Sequence, residues 1–177
     1  MKKLFALLIL AVSLFTFAQD DMAHDAMMMV EGHAWGKADL VNARTGETFK
    51  IGDYAGKTIY VEAFATWCPN CLKQLTAVHE AQMKFPDTVF IALSVEGDIA
   101  EEALVKYADD NMFADIVFAK ATPEVLESLV SEFGADITNP PSTPHFFISS
   151  MGEASELITG IEDGNKLAEH FEMMASE

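Results

Sequence analysis

Both cysteines of this 177-residue chain lie in one four-residue segment, Cys68-Pro69-Asn70-Cys71. Cysteines three positions apart on the first turn of a helix lie on one face, so they can form a disulfide without a change in the backbone. The segment follows a strand-like apolar run at residues 59–67 and precedes a helix-period pattern. Because the free amides at a helix N-terminus stabilise a thiolate, the pattern predicts thiol–disulfide exchange in which Cys68 attacks and Cys71 resolves.

Two other uses of a close cysteine pair compete with this interpretation. A structural disulfide needs no further residues, whereas a structural zinc site needs two more Cys or His ligands at a recognisable spacing. The chain has only these two cysteines. The position of the pair between a strand and a helix therefore favours redox chemistry.

The segment Phe64-Ala65-Thr66-Trp67-Cys68-Pro69-Asn70-Cys71 resembles the active-site signature of thioredoxin-fold proteins, in particular the exported TlpA/ResA-like thiol-disulfide oxidoreductases. Gly56-Lys57 resembles the lead-in to the strand before that signature. Thr143-Pro144, followed by the apolar residues 145–148, resembles the cis-proline loop that faces the dithiol. The resemblance covers about residues 37–175.

This resemblance implies an α/β thioredoxin-like fold, with a mixed central β-sheet flanked by helices, an N-terminal β-hairpin and a central βα insertion. It also implies a cis peptide bond before Pro144, and backbone groups of Thr143 that are free to pair with an extended substrate beside Cys68. Trp67 and Pro69 are expected to contact the same substrate. A trans proline that opens a strand and a Trp67 packed in the core are the alternatives. No cofactor besides the dithiol is expected.

Glu62 stands six residues before Cys68, in a strand that is otherwise apolar. Thioredoxins hold a buried aspartate at the corresponding position, so the resemblance implies an inward-facing carboxyl. Burial should raise its pKa and let it take the proton from Cys71 as that sulfur attacks a mixed disulfide. The alternative is that the strand points Glu62 at solvent or at a lysine.

The direction of electron flow depends on how strongly the Cys68 thiolate is stabilised. Asn70 brings no charge, and His145 would stabilise the thiolate only if its ring points at the dithiol. These features favour a reductant of protein disulfides that a membrane electron-donor protein keeps reduced, with apocytochrome c as the substrate suggested by related proteins. A thiol oxidase or isomerase of the same fold and a copper metallochaperone for an oxidase remain as alternatives.

The rest of the chain predicts the elements that must position these residues. The first half of the domain is predicted to form a hairpin (38–41 and 48–51), a strand (58–65), a helix that runs to about Lys84 and a second strand (88–95). A helix capped by Asp98 and a short strand (116–118) follow, and then a helix from Thr122-Pro123 to Gly134 with Val130 on its buried stripe. The domain is predicted to end with a hairpin of strands 145–148 and 156–159 and a last helix that contains Leu167, His170, Phe171 and Met174.

Residues 1–18 have the pattern of a secretory signal peptide, with Lys2 and Lys3, an apolar run and cleavage expected after Ala18. A retained N-terminal anchor is the alternative, although the run is short for a membrane span. Either way the domain would lie in the periplasm or otherwise outside the cytoplasm, where disulfides persist. The net charge of −17 excludes nucleic acid as a partner on electrostatic grounds.

Residues 19–36 are acidic and show no strand or helix period, so they predict a flexible leader before a domain at residues 37–177. The leader is rich in thioether and imidazole groups, which are ligands that suit Cu(I). The candidate ligands are Met22, His24, Met27, Met28, Met29 and His33. A plain linker without metal is the alternative interpretation.

Overall fold

The computed structural model describes residues 22–175 of the chain. Two helical segments and a short antiparallel hairpin come first: α1 (residues 22–32), α2 (Ala34–Lys37), β1 (Leu40–Val41) and β2 (Thr48–Phe49). The hairpin lies where the pattern predicted it, with shorter strands. The predicted signal peptide lies outside the described residues.

A four-stranded mixed sheet forms the centre of the fold. Its strands are β3 (Ile59–Phe64), β4 (Val89–Ser94), β5 (Val117–Lys120) and β6 (His145–Ile148), in the spatial order β5-β4-β3-β6. The first three strands are parallel, and β6 runs antiparallel to β3. In that antiparallel register Glu62 lies directly opposite His145. Opposed residues point to the same side of a sheet, so these two side chains share a face.

Four longer helices cover the sheet: α3 (Pro69–Gln82), α4 (Glu101–Asp110), α5 (Pro123–Phe133) and α6 (Gly164–Ala175). One face of the sheet packs against α3, α4 and α6 in a core rich in aromatic rings, and both cysteines belong to that core. The other face packs against α2 and α5. The predicted mixed sheet with helices on both faces is confirmed, and α4 with β5 occupies the place of the predicted insertion.

Two predicted helix boundaries follow from local chemistry. Cys68 is the N-cap of α3 and Pro69 is its first residue, a position where the missing N–H of proline costs nothing. At the start of α5 the Thr122 hydroxyl accepts a hydrogen bond from the Val125 N–H, and Gly134 ends the helix at a φ of 81°. The stripe Cys71, Leu75 and Val78 faces inward as predicted.

Three smaller predictions are wrong. Ala100, not Asp98, is the N-cap of α4, and two glutamates in its first turn interact favourably with the helix dipole instead of a capping side chain. Residues 156–159 make only an isolated bridge to β6, between Ile158 and His145. The Phe147 N–H donates to the Ser155 hydroxyl instead of to a backbone carbonyl, and this interrupts the pairing of the two segments. Val130 lies at the edge of the buried stripe of α5 and is exposed.

The predicted flexible leader is also wrong over residues 22–36, because α1 and α2 are folded onto the domain. Ala26 and Val30 are four positions apart, so they lie on one face of α1, and both are fully buried. Trp35 is buried against Phe146, and its indole N–H donates to Glu132. Three apolar residues among many exposed methionines are too few to show as a period in the sequence.

A tight contact at Gly152 holds α1 in place. Gly152 has a φ of 87°, and a Cβ there would overlap the Ala26 carbonyl and lie 2.9 Å from the Met29 Cβ.

We expect Gly152→Ala to lower the free energy of unfolding by roughly 2–4 kcal/mol, from backbone strain and overlap together. Urea denaturation measures this. Gly160→Ala is the matched control, because Gly160 has a φ of 96° and open space around it. Equal losses in both variants would contradict the packing of α1 on this turn.

Candidate active site

Cys68 and Cys71 are joined in a disulfide at the N-terminus of α3, with their Cα atoms 5.3 Å apart. The two sulfurs have opposite surroundings. The Sγ of Cys68 accepts a hydrogen bond from the Cys71 backbone N–H at 3.1 Å, whereas the Sγ of Cys71 lies 3.1 Å from the carbonyl oxygen of Pro140. An amide hydrogen stabilises a thiolate, and a carbonyl oxygen repels one and accepts from a thiol. This asymmetry supports attack by Cys68 and resolution by Cys71.

The carboxylate of Glu96, two residues after the end of β4, holds the loop between β3 and α3 by hydrogen bonds. Glu96 accepts hydrogen bonds from the Thr66 N–H at 2.6 Å and from the Thr66 hydroxyl at 3.2 Å. The Ser94 hydroxyl also donates to Glu96, at 3.3 Å. Glu96 therefore fixes the residues just before Cys68. It is 30 positions away from Thr66, and no local pattern in the sequence pointed to it.

Glu62 is fully buried on the face of β3 that carries Tyr60 and Phe64, so the prediction that it faces inward is confirmed. One carboxyl oxygen, Oε2, accepts a hydrogen bond from the Tyr60 hydroxyl at 3.0 Å. The other, Oε1, has no hydrogen-bond partner among residues 22–175. An uncompensated buried carboxylate is costly, so this group favours its protonated form.

Burial raises the pKa of Glu62 well above its ordinary value, and the hydrogen bond from Tyr60 opposes that shift only in part. Burial, followed by the charge of Glu62, raises the pKa of Tyr60 in turn, so its hydroxyl stays a donor. A carboxyl whose pKa is shifted upward stays protonated to a higher pH and can exchange its proton with a neighbouring group. Proton transfer to Glu62 stays a prediction, to which the burial lends support.

The Thr143–Pro144 peptide bond is trans, so the prediction of a cis bond is wrong for this structure. Thr143 itself makes the turn, with φ 47° and ψ 58° in the left-handed region. Its N–H donates to the Pro140 carbonyl and its own carbonyl accepts from the His145 ring, each at 2.8 Å. Both backbone groups are therefore already paired, and Thr143 and Pro144 are buried rather than open to a substrate.

The condition under which His145 would stabilise the Cys68 thiolate, a ring that points at the dithiol, is not met. Its Nδ1 bonds to the Thr143 carbonyl and its Nε2 lies 3.2 Å from a carboxylate oxygen of Glu162. Both ring nitrogens are thus engaged away from the dithiol. Thr143 lies two residues before His145, and the bridge between His145 and Ile158 brings the following segment, with Glu162, toward the ring.

An exposed apolar surface surrounds the first turn of α3. Trp67 is 63% exposed, so it is not a core residue, and Pro69 is exposed as well. The Asn70 side-chain amide donates to the Pro141 carbonyl at 2.9 Å and holds the exposed Pro141 beside them. Cys68 is only 1% exposed in the oxidised state, so a substrate must reach it at this rim. Trp67 and Pro69 remain the predicted substrate contacts.

The copper-ligand candidates are now placed on α1 and just after it. Met22, Met27, Met28 and Met29 are exposed, while the Nδ1 of His33 pairs with Glu132 at 2.8 Å. Within residues 22–175, no group of three or more His, Cys, Asp or Glu side chains could hold a metal ion. Thioether ligands fall outside that class, so copper binding by the methionines and His24 stays a prediction.

No protein-family model matches the chain. An uncharacterized protein of Haemophilus influenzae is 34% identical over 80 residues, which are 45% of this chain and 42% of that protein. The chain therefore aligns with less than half the length of that relative. The thiol-disulfide oxidoreductase ResA of Geobacillus kaustophilus is 23% identical over 127 residues, which are 72% of this chain and 68% of ResA.

Among solved structures, DsbF of Mycobacterium tuberculosis, determined in mixed oxidised and reduced forms, superposes with a TM-score of 0.64. The superposition covers 80% of this chain and 98% of DsbF, at 16% sequence identity. This superposition confirms the predicted thioredoxin-like fold. The cysteine pair lies at the N-terminus of α3, the helix that follows β3 of the central sheet. The chain is a thioredoxin-fold protein that carries the paired cysteines of the thiol-disulfide oxidoreductases.

Proposed function

We propose that the protein is an extracytoplasmic thiol-disulfide oxidoreductase that reduces disulfides in other proteins. The observation that carries this proposal is the opposite environment of the two sulfurs, with an amide hydrogen at Cys68 and a carbonyl oxygen at Cys71. A dithiol with one stabilised thiolate and one sulfur kept as a thiol suits two successive exchange steps.

The proposed reaction starts from the reduced pair. The Cys68 thiolate attacks one sulfur of a substrate disulfide and releases the other as a thiolate, so that a mixed disulfide forms. Cys71 then gives its proton to the Glu62 carboxylate and attacks Cys68, which releases the second substrate thiolate and closes the Cys68–Cys71 disulfide. Two electrons pass to the substrate, and an external donor must restore them.

The location is part of the proposal. Residues 1–18 have a signal-peptide pattern, and a disulfide such as Cys68–Cys71 persists in oxidising compartments. No helix within residues 22–175 has the length and apolar character needed to cross a membrane. We take the electron donor to be a membrane protein and an apocytochrome c to be one candidate substrate, in line with the resemblance to TlpA/ResA-like proteins.

The reduction potential tests the direction of electron flow. Among the described residues no charged side chain donates a hydrogen bond to either sulfur, and the Asn70 amide donates to Pro141 rather than to Cys68. The thiolate therefore lacks the strong stabilisation of an oxidant, and we expect a potential at or below about −250 mV. Titration of the domain in dithiothreitol or glutathione redox buffers, read by thiol alkylation, measures it.

Other outcomes of that titration have distinct meanings. A potential near about −120 mV would make the protein a thiol oxidase and reverse the proposed direction. The absence of any reversible transition would rule out a dithiol enzyme, and copper carriage would then be the function to test.

A further inference from the structure

A buried cluster of ionisable side chains lies next to the dithiol on the same face of the sheet. Its centre is Glu162, a residue just before α6 that is only 7% exposed. Its two carboxyl oxygens lie 3.2 Å from the Nε2 of His145 and 3.2 Å from the Nε2 of His170. None of the predicted functions uses Glu162.

The hydrogen bonds define where the protons are. The Nδ1 of His145 faces the Thr143 carbonyl, which can only accept, so Nδ1 carries a hydrogen. Its Nε2 faces a carboxyl oxygen of Glu162, so that contact also needs a proton. Burial opposes ionisation of Glu162, but its interactions with His145 and His170 outweigh burial and lower its pKa, so the group favours its carboxylate form. Both rings therefore meet a carboxylate that accepts hydrogen bonds.

The same residue is tied to the helix that carries the cysteines. The Glu162 backbone N–H donates to the side-chain oxygen of Gln74 at 2.7 Å. Gln74 is fully buried and lies one turn after Cys71 on α3. Glu162 thus connects α3 through Gln74 and α6 through His170.

The connection reaches the loop over the resolving sulfur by a chain of short contacts. His145 holds the carbonyl of Thr143, and the Thr143 N–H donates to the Pro140 carbonyl, which is also the oxygen 3.1 Å from the Sγ of Cys71. Pro141, the next residue, carries the exposed part of the loop beside Asn70. Displacement of His145 would therefore loosen residues 140–143 together.

We propose that Glu162 is a positioning residue for substrate engagement, which holds the 140–143 loop beside the dithiol through His145 and Thr143. This inference rests on the proposed disulfide-reductase function. It concerns the alignment of large substrates at the loop and not the first attack by Cys68, whose sulfur is stabilised within α3 itself. Other ionisable groups on this face include Tyr60 and Glu62 of β3 and Tyr107 of α4. The Tyr60 hydroxyl donates to Glu62.

The test compares a large and a small disulfide. Reduced wild-type protein and Glu162→Ala are mixed with insulin or with hydroxyethyl disulfide, and the second-order rate of each reaction is measured. We expect Glu162→Ala to slow the insulin reaction by roughly 10-fold and the hydroxyethyl disulfide reaction by less than about twofold. A displaced 140–143 loop would misalign a protein substrate that contacts it, whereas the small disulfide does not need that contact. A parallel loss with both disulfides, or no loss with insulin, would overturn the proposal.

Two variants separate positioning from general damage. Glu162→Gln preserves the shape, and its amide can donate to a neutral His145 while its oxygen accepts from His170, so we expect most of the insulin rate to return. Glu169→Ala removes an exposed acid from the same helix, α6, and should leave both rates unchanged.

A direct measurement of the loop does not depend on turnover. The Thr143 N–H is hydrogen-bonded inside the loop, so in Glu162→Ala its hydrogen exchange should rise more than the exchange of the β4 amides, which reports any general loss of stability. Its exchange should be close to that of the wild-type protein in Glu162→Gln and in Glu169→Ala. Exchange at Thr143 that rises in Glu162→Ala only in step with the β4 amides would contradict the proposal. Failure of the wild-type protein to reduce either disulfide would instead count against the proposed function.

Discussion

Cys71→Ser is expected to accumulate a covalent adduct between Cys68 and a substrate protein and to lower multiple-turnover disulfide reduction by about 10³-fold or more. The remaining Cys68 thiolate can attack, since its sulfur still accepts a backbone hydrogen bond at the start of α3. No second thiol is then present to release the substrate. Non-reducing electrophoresis and mass spectrometry after incubation with an oxidised protein measure the adduct.

Cys68→Ser is the matched control for this prediction. It leaves Cys71, which is fully buried and faces the carbonyl oxygen of Pro140. A buried thiol beside an acceptor is a poor nucleophile, so we expect neither turnover nor a stable adduct. Adducts that form at Cys71 in this variant and not at Cys68 in the first would reverse the assigned roles.

Glu62→Gln is expected to slow the release of the mixed disulfide by roughly 10²-fold, the usual contribution of a positioned general base. The first attack should be nearly unaffected because it uses the thiolate of Cys68. Stopped-flow mixing of the reduced protein with an oxidised peptide, followed by quantification of the mixed disulfide, separates the two steps.

The pH profile distinguishes a base from a residue that only fills space. Burial raises the pKa of Glu62, and only its ionised form can accept the proton of Cys71. The release rate of the wild-type protein should therefore rise as the pH passes upward through that raised pKa, and Glu62→Gln should lack this rise. A profile of the same shape in both proteins would exclude Glu62 as the base.

The same shift has a consequence for stability. A carboxyl with a raised pKa in the folded state contributes stability below its ordinary value of 4.5, and this contribution is lost as the pH rises through the folded-state pKa. Above that pH, Glu62→Gln should be more stable than wild type by roughly 1–3 kcal/mol, because it removes an ionised buried group with an unpaired oxygen. Denaturation at pH 5 and pH 9 measures the difference, and Glu80→Gln on the exposed side of α3 is the control.

The comparison of Glu162 and Glu62 shows why burial alone does not predict the charge of an acid. Two imidazoles lower the pKa of Glu162, whereas a single neutral hydroxyl faces Glu62 and burial raises its pKa. As a result one carboxyl is suited to accept fixed hydrogen bonds and the other to take up a proton. Both lie on the same side of the sheet as the dithiol.

Local interactions account for what was predictable from the sequence. The cysteine spacing, Pro69 at the first helical position, and the caps at Thr122 and Gly134 involve residues within a few positions of one another, so they can be identified in one segment at a time. The apolar runs likewise placed the strands of the mixed sheet. The strand pattern alone left the direction of Glu62 open, and its burial was expected from the resemblance to thioredoxins, which hold an acid at the corresponding position.

Sheet order decided what the sequence could not determine. The contacts of Cys71 with Pro140, of Thr66 with Glu96 and of Gln74 with Glu162 join residues 69, 30 and 88 positions apart. Which distant segments meet depends on the pairing of β6 with β3 and on the packing of α3 and α6 above them. The sequence by itself determined the reactive pair and its helix, and the tertiary structure determined which sulfur meets an amide, which meets a carbonyl, and which acid holds the neighbouring loop.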